Sequence, residues 1–162
     1  MDIPKRKRIR LANYDYHQAG GYFITICTYE KRHILSAIEN APNTRVVLTE
    51  LGEIAQRILM ELPAQYGFSL DEYVIMPNHI HLLLTKDADR NEKSIGQLIG
   101  AFKSTVGNHW YKVCDAKGIT AGKIWQRNYY DHIIRNQTDY IEKCKYIVEN
   151  PDKWSLDELY SK

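Results

Sequence analysis

Cysteine is scarce in this chain. Cys27, Cys114 and Cys144 stand far apart without a CxxC pair, which argues against a disulfide framework or a thiolate zinc site and suits a reducing cytoplasm, the expected location. No apolar run is long enough to cross a bilayer, and the opening MDIPKRKRIRL has charge without the apolar core of an export signal. A membrane is therefore not expected among the partners. Internal repeats, linkers and low-complexity segments are also missing, so the 162 residues are expected to form one domain, 1–162, with enough hydrophobic content (44%) for a core. Net charge is small at +2, but Lys5, Arg6, Lys7, Arg8 and Arg10 crowd the first ten residues and leave the remainder slightly acidic. Residues 1–12 thus make a basic arm, which is either a phosphate-contacting segment or a solvated terminus.

What is present alternates between strand and helix signals. GYFITICTYE (21–30), aromatic and β-branched after a Gly-Gly break, reads as a strand. Arg45 to Leu48 is a short strand or a lead-in. Thr49 then caps a predicted helix with Leu51, Ile54, Ile58 and Leu62 on its apolar face, Gly52 weakening its start and Pro63 marking its end. Tyr73–Met76 and His79–Leu84 flank Pro77-Asn78, which predicts an antiparallel hairpin. Ile95, Leu98, Ile99, Phe102, Val106 and Trp110 fall at helical spacing and predict a helix over 94–111. Tyr129 to Ile134 reads as the last strand, and a final helix runs from near Thr138 to just before Pro151. This order predicts an α+β fold, ferredoxin-like, with a terminal helix.

Within YVIMPNHIHLLL, strand alternation sends His79 and His81 to one face and Ile80, Leu82 and Leu84 to the other. Two imidazoles about 7 Å apart at their Cα atoms can converge on one cation, or can be hydrogen-bonded structural residues. On the last helix, Tyr140, Ile141, Cys144, Ile147 and Val148 form an apolar stripe that reads as the buried face. Tyr146 and Asn150 lie opposite, one turn apart, flanked by Asp139 and Lys143. By this reading Tyr140 is a core residue. Tyr146 is either an ordinary surface tyrosine or a hydroxyl placed beside an amide able to ligate metal.

These pieces together, HIH on a strand, WQRNYYDHIIR, then YIEKCKYIVENP, with RKRIRLANYDYHQAGGYFITICT ahead of them, resemble the single-tyrosine transposases of the insertion-sequence 200/605 type. The likeness is greatest to the REP-associated branch of that HUH superfamily and covers nearly the whole chain. It implies a ferredoxin-like or RRM-like domain with the histidines on a central strand. His79, His81 and Asn150 would hold Mg²⁺ or Mn²⁺, and Tyr146 would be the nucleophile, forming a 5′-phosphotyrosine on single-stranded or hairpin DNA. The protein would act as a monomer or a homodimer. Tyr140 matches no active-site position.

Two other functions compete with that one. One is a DNA-binding relative that recognises a hairpin without cutting it. The other, a histidine-triad phosphohydrolase, is disfavoured because HIHLLL has leucine where a third alternating histidine would be needed. Arg127 and Lys103 join the basic arm as candidate DNA contacts, although lysines on helices are usually solvated. Trp125, Tyr129 and Tyr130 either stack on unpaired bases or fill the core. His132 either orients substrate or forms a structural pair with Asp131. His17, His33 and His109 read as surface or packing residues.

Overall fold

The structure, a computed structural model, describes residues 20–86 and 93–161. The arm carrying Lys5, Arg6, Lys7, Arg8 and Arg10, and also His17, lie outside the described residues.

Four strands form the main sheet: β1 (Gly20–Cys27), β4 (Phe68–Ile75), β5 (His79–Lys86) and β6 (Tyr130–Ile133). Their order is β4-β5-β1-β6, every neighbouring pair antiparallel. The fold is therefore α+β, as the element order predicts, and β5 is a central strand. The Pro77-Asn78 hairpin is present, with the Met76 N–H donating to the His79 carbonyl at 2.8 Å.

Alternation along β1 and β5 divides the sheet into two unlike faces. Tyr22, Ile24 and Ile26 of β1 and Ile80, Leu82 and Leu84 of β5 join one large buried cluster with α1 (Glu50–Gln65) and α2 (Ile95–Ala116). The other face carries His79, His81 and Leu83 and is covered by α3 (Gln137–Glu149). Its apolar cluster is much smaller: Val74, Met76, Leu83 and Ile147 are buried, with Phe23, Tyr140 and Cys144 packed around them.

Local chemistry explains the helix boundaries. The Thr49 side chain accepts the Gly52 N–H, so Thr49 is the N-cap of α1. Gly52 has a steric reason to be there: an added Cβ would stand 2.0 Å from the Leu35 carbonyl oxygen. Pro63 does not end α1, which continues to Gln65; the chain leaves the helix at Gly67, whose φ of 75° suits only glycine well. α2 opens with a capping box between Ser94 and Gln97 and runs five residues beyond Tyr111, because Val113 and Cys114 still pack inward. Ser36–Glu39 (β2) pairs with Arg45–Leu48 (β3) as a separate two-stranded ribbon, so the second of these is a true strand.

The last helix corrects the sequence reading. Ile141 and Val148, expected to be buried, are 55% and 63% exposed, whereas Asn150 is buried. The face toward the sheet contains Tyr140, Cys144, Ile147 and Asn150. Tyr146 lies beside that face and 40% exposed, rather than opposite it. The helix is rotated because the sheet face it covers is itself partly polar, and an amide fits against imidazoles better than isoleucine does.

Candidate metal and tyrosine site

β5 and its register with β1 position both imidazoles. Cys27 lies opposite His79 and Thr25 opposite His81, and both histidines are buried. Their rings are 4.5 Å apart, centroid to centroid. Each ring nitrogen nearer the backbone has a partner: His79 Nδ1 meets Asn78 Oδ1 at 2.7 Å and His81 Nδ1 meets Thr25 Oγ1 at 2.8 Å. The Asn78 amide is oriented in turn, its Nδ2 donating to the Leu159 carbonyl at 2.8 Å. Asn78 Oδ1 can only accept, so the His79 proton sits on Nδ1 and the lone pair on Nε2.

The His79 lone pair meets no hydrogen-bond donor among the described residues. His79 Nε2, His81 Nε2 and Asn150 Oδ1 are all buried without a hydrogen-bond partner among the described residues. Orphaned buried acceptors cost free energy and call for an explanation. Asp157 supplies a fourth donor: its carboxylate is 3.7 Å from His79 Nε2, and both side chains are inaccessible to solvent. Donor atoms of His79, His81 and Asp157 lie within 4.8 Å of one another. Asp157 Oδ2 also accepts from Asn150 Nδ2 at 2.7 Å, which leaves the amide oxygen of Asn150 as its unused end. Two imidazoles, an amide oxygen and a carboxylate fit a divalent cation, and the buffering hydrogen bonds behind each imidazole are the usual support for metal-ligating histidines.

Burial pushes the His79 pKa down to about 4, and the same desolvation, with His79 adjacent, lowers that of His81. Both imidazoles are accordingly neutral at pH 7 and available as ligands.

Tyr146 stands against this group from α3. Its ring is 5.3 Å from that of His81 and 5.9 Å from that of Phe23. Burial raises its pKa, and the negative charges of Asp157 and Glu158 raise it further. In front of it opens a cavity of about 510 Å³ lined by Thr25, Lys31, His81, Lys143 and Tyr146 among others. Tyr140 is elsewhere: it packs against the small cluster, and burial with the nearby Asp71 carboxylate pushes its pKa up to about 12.

Of the predicted site residues, then, His79, His81, Tyr146 and Asn150 come together. Arg127 and Lys103 do not join them. Lys103 extends from α2, and its amine donates to the carbonyls of Gln126 and Asn128 at 2.8 and 3.0 Å. Trp125 and Tyr129 are buried and Tyr130 is exposed. His132 bonds Asp139 at 2.8 Å, which corrects the expected pairing with Asp131. Asp157 and Lys31 were not legible. Asp157 follows Asn150 by seven residues beyond the end of a helix, where no periodicity connects them.

The model of the family described as Transposase IS200 like matches residues 21–150. A Haemophilus influenzae protein without an assigned role is 33% identical, over 98% of this chain and 94% of its own length. The REP-associated tyrosine transposase of Escherichia coli K12 is 22% identical, over 85% of this chain and 70% of its own length. Among solved structures, a REP-associated tyrosine transposase bound to a REP hairpin superposes with a TM-score of 0.64 at 19% identity, covering 92% of this chain and 76% of that one. The chain belongs to the IS200-like transposase family.

Proposed function

We propose that this protein cleaves and rejoins single-stranded DNA beside hairpins, with Tyr146 as nucleophile and a divalent cation, Mg²⁺ or Mn²⁺, held by His79, His81, Asn150 and Asp157. One observation carries the reading: two buried imidazole nitrogens and an amide oxygen, without hydrogen-bond partners among the described residues, gather around the Asp157 carboxylate, and His81 shares a cavity with Tyr146. The binding of a REP hairpin by a structural relative and membership of a transposase family support DNA as the substrate.

The chemistry is a pair of exchanges at phosphorus. Tyr146 Oη attacks the scissile phosphate, the phosphorus–O3′ bond breaks, and the 3′ oxygen leaves with a proton as a free hydroxyl. The 5′ phosphate remains on tyrosine as a phosphodiester. Attack by another 3′ hydroxyl reverses the exchange and joins strands, so no ATP is consumed. A cation bound at the four donors would polarise a non-bridging oxygen and fix the phosphorus in line.

The chain's own groups do the rest. With its pKa raised by burial and by two carboxylates, Tyr146 is a phenol at neutral pH. Its proton therefore departs as attack proceeds, and the Asp157 carboxylate, near enough to raise the Tyr146 pKa, can accept it. Lys31 and Lys143, both lining the cavity, bring positive charge to the phosphate.

The test incubates hairpin DNA carrying single-stranded flanks with protein and Mn²⁺ and resolves covalent adducts on a denaturing gel. Wild type should form an adduct and Tyr146→Phe should lower its yield by roughly 10³-fold or more. His81→Ala should lose the adduct together with the Mn²⁺-dependent rise in Tm. An undiminished adduct in Tyr146→Phe would overturn the nucleophile, and no adduct on any flanked hairpin would favour a protein that only binds.

A further inference from the structure

A second groove lies on the other side of the sheet, between the C-terminal half of α2 and residues 121–127. Its volume is about 450 Å³, and its lining includes Lys103, Trp110, Tyr111, Lys123, Trp125 and Arg127 with no carboxylate. That is a concentration of cations and aromatic rings in a chain whose charge outside the first ten residues is slightly acidic.

Three of those side chains are available. Tyr111 is 64% exposed. Arg127 is exposed and forms no ion pair with any described residue. Lys123 lies over the Tyr29 ring, its amine 4.5 Å from the centroid, which leaves its remaining faces to solvent. Gly107, on the groove wall inside α2, would meet nothing within 4 Å if it carried a Cβ. A glycine inside a helix costs about 0.5–1 kcal/mol relative to alanine, and among the described residues no atom outside the helix's own backbone requires one there. Its effect is to leave bare helix backbone at the wall, open to a close approach from outside.

The groove also connects to the tyrosine site. Gln126 donates its N–H to the Cys27 carbonyl at 3.0 Å, and Cys27 is the register partner of His79. Lys103 gathers the carbonyls of residues 126–128 and fixes that turn. Three residues after Arg127, Tyr130 is half exposed on the edge strand β6 and lines the cavity in front of Tyr146. Three residues span at most about 10 Å, so a strand leaving the cavity over β6 reaches the groove within a few nucleotides.

We propose that this groove is a binding surface for single-stranded DNA, holding the flank that adjoins the phosphate at Tyr146. Lys123 and Arg127 contact phosphates, Tyr111 offers a stacking face to a base, and Lys103 positions the turn that carries Arg127. Single strands suit the surface because they need a cationic track with aromatic platforms. The assignment rests on the reading of the Tyr146 site as one that acts on DNA.

The experiment measures anisotropy of a fluorescent 30-nucleotide oligothymidylate, and of a 20-base-pair duplex, against salt concentration. It is done in a Tyr146→Phe background with EDTA, so that binding is read without cleavage. The Lys123→Gln/Arg127→Gln double variant should weaken oligothymidylate binding roughly tenfold and flatten the log–log salt slope by about 1.4. Tyr111→Ala should weaken it at least about fivefold with the slope kept. A charge-matched Arg45→Gln/Lys145→Gln variant should retain the parent slope. A groove variant whose affinity and slope equal those of its parent would overturn the proposal, as would a loss confined to the duplex. Adduct formation by the wild-type chain is scored separately. Adduct with an unchanged slope sinks the groove alone, whereas a flattened slope without adduct keeps the groove and sinks the cleavage reading.

Discussion

The two faces of the sheet are built from the same strands and are held by different physics. On the α1/α2 face, Ile80, Leu82 and Leu84 meet Tyr22, Ile24 and two long helices, and stability comes from apolar area removed from water. One residue away along β5, His79 and His81 meet Thr25, Asn78, Asn150 and Asp157, and much of what is buried there is polar. The first face makes the second affordable: orphaned acceptors and neutral imidazoles persist because the strand beneath them is anchored from behind. A site needing unpaired donor atoms belongs on the back of a core, not in a loop.

Adjacent residues of β5 should respond differently to substitution, which is the largest expected effect on stability. Leu82→Ala, at a position 1% exposed, should cost about 2–5 kcal/mol in urea unfolding. His81→Gln should change metal-free stability by around 1 kcal/mol but remove any Mn²⁺-dependent gain in Tm. A cost for His81→Gln matching that of Leu82→Ala would mean the histidine face is a second core and the comparison fails.

The next effect is pH-dependent and should belong to the histidine face alone. His79 has an unfolded pKa near 6.5 and a folded one of about 4, lowered by burial, with His81 lowered in the same sense. The unfolded chain therefore binds more protons across that interval. The stability tied to neutral imidazoles is complete above about pH 6.5 and is lost as pH falls toward 4, with a slope of up to about 1.4 kcal/mol per unit for each proton. Urea midpoints in EDTA at pH 7.5, 6 and 5 should show this decline, and His79→Gln/His81→Gln should flatten it. A decline of equal steepness in the double variant would assign it to other groups.

The same contrast explains what could be read from the sequence. On the apolar face, periodicity is enough: the spacing of Ile95, Leu98, Ile99, Phe102 and Val106 predicts α2, and all five are buried. The alternation in HIHLLL likewise places both histidines on the face opposite that core. The ribbon strand Ser36–Glu39 was missed because it is a four-residue strand outside the main sheet. Asp157 was missed because tertiary packing alone returns the segment after α3 to His79. The apolar stripe drawn on α3 failed for a further reason: such a stripe assumes an apolar partner, and here the partner is the polar side of β5 and β1.

That failure gives the smallest and most discriminating prediction. If α3 docked by its apolar stripe, Ile141 would be a core residue and Ile141→Ser would cost several kcal/mol through lost burial and a stranded hydroxyl. In the observed orientation Ile141 is 55% exposed while Ile147, six residues on, is 1% exposed. Ile141→Ser should then shift the urea midpoint by no more than the equivalent of about 0.5 kcal/mol, and the adduct yield should stay at its wild-type level because Tyr146 keeps its place. A loss above 1 kcal/mol with the adduct also diminished would mean that α3 is rotated by roughly a quarter turn from the orientation described, which would carry Tyr146 and Asn150 away from the histidines.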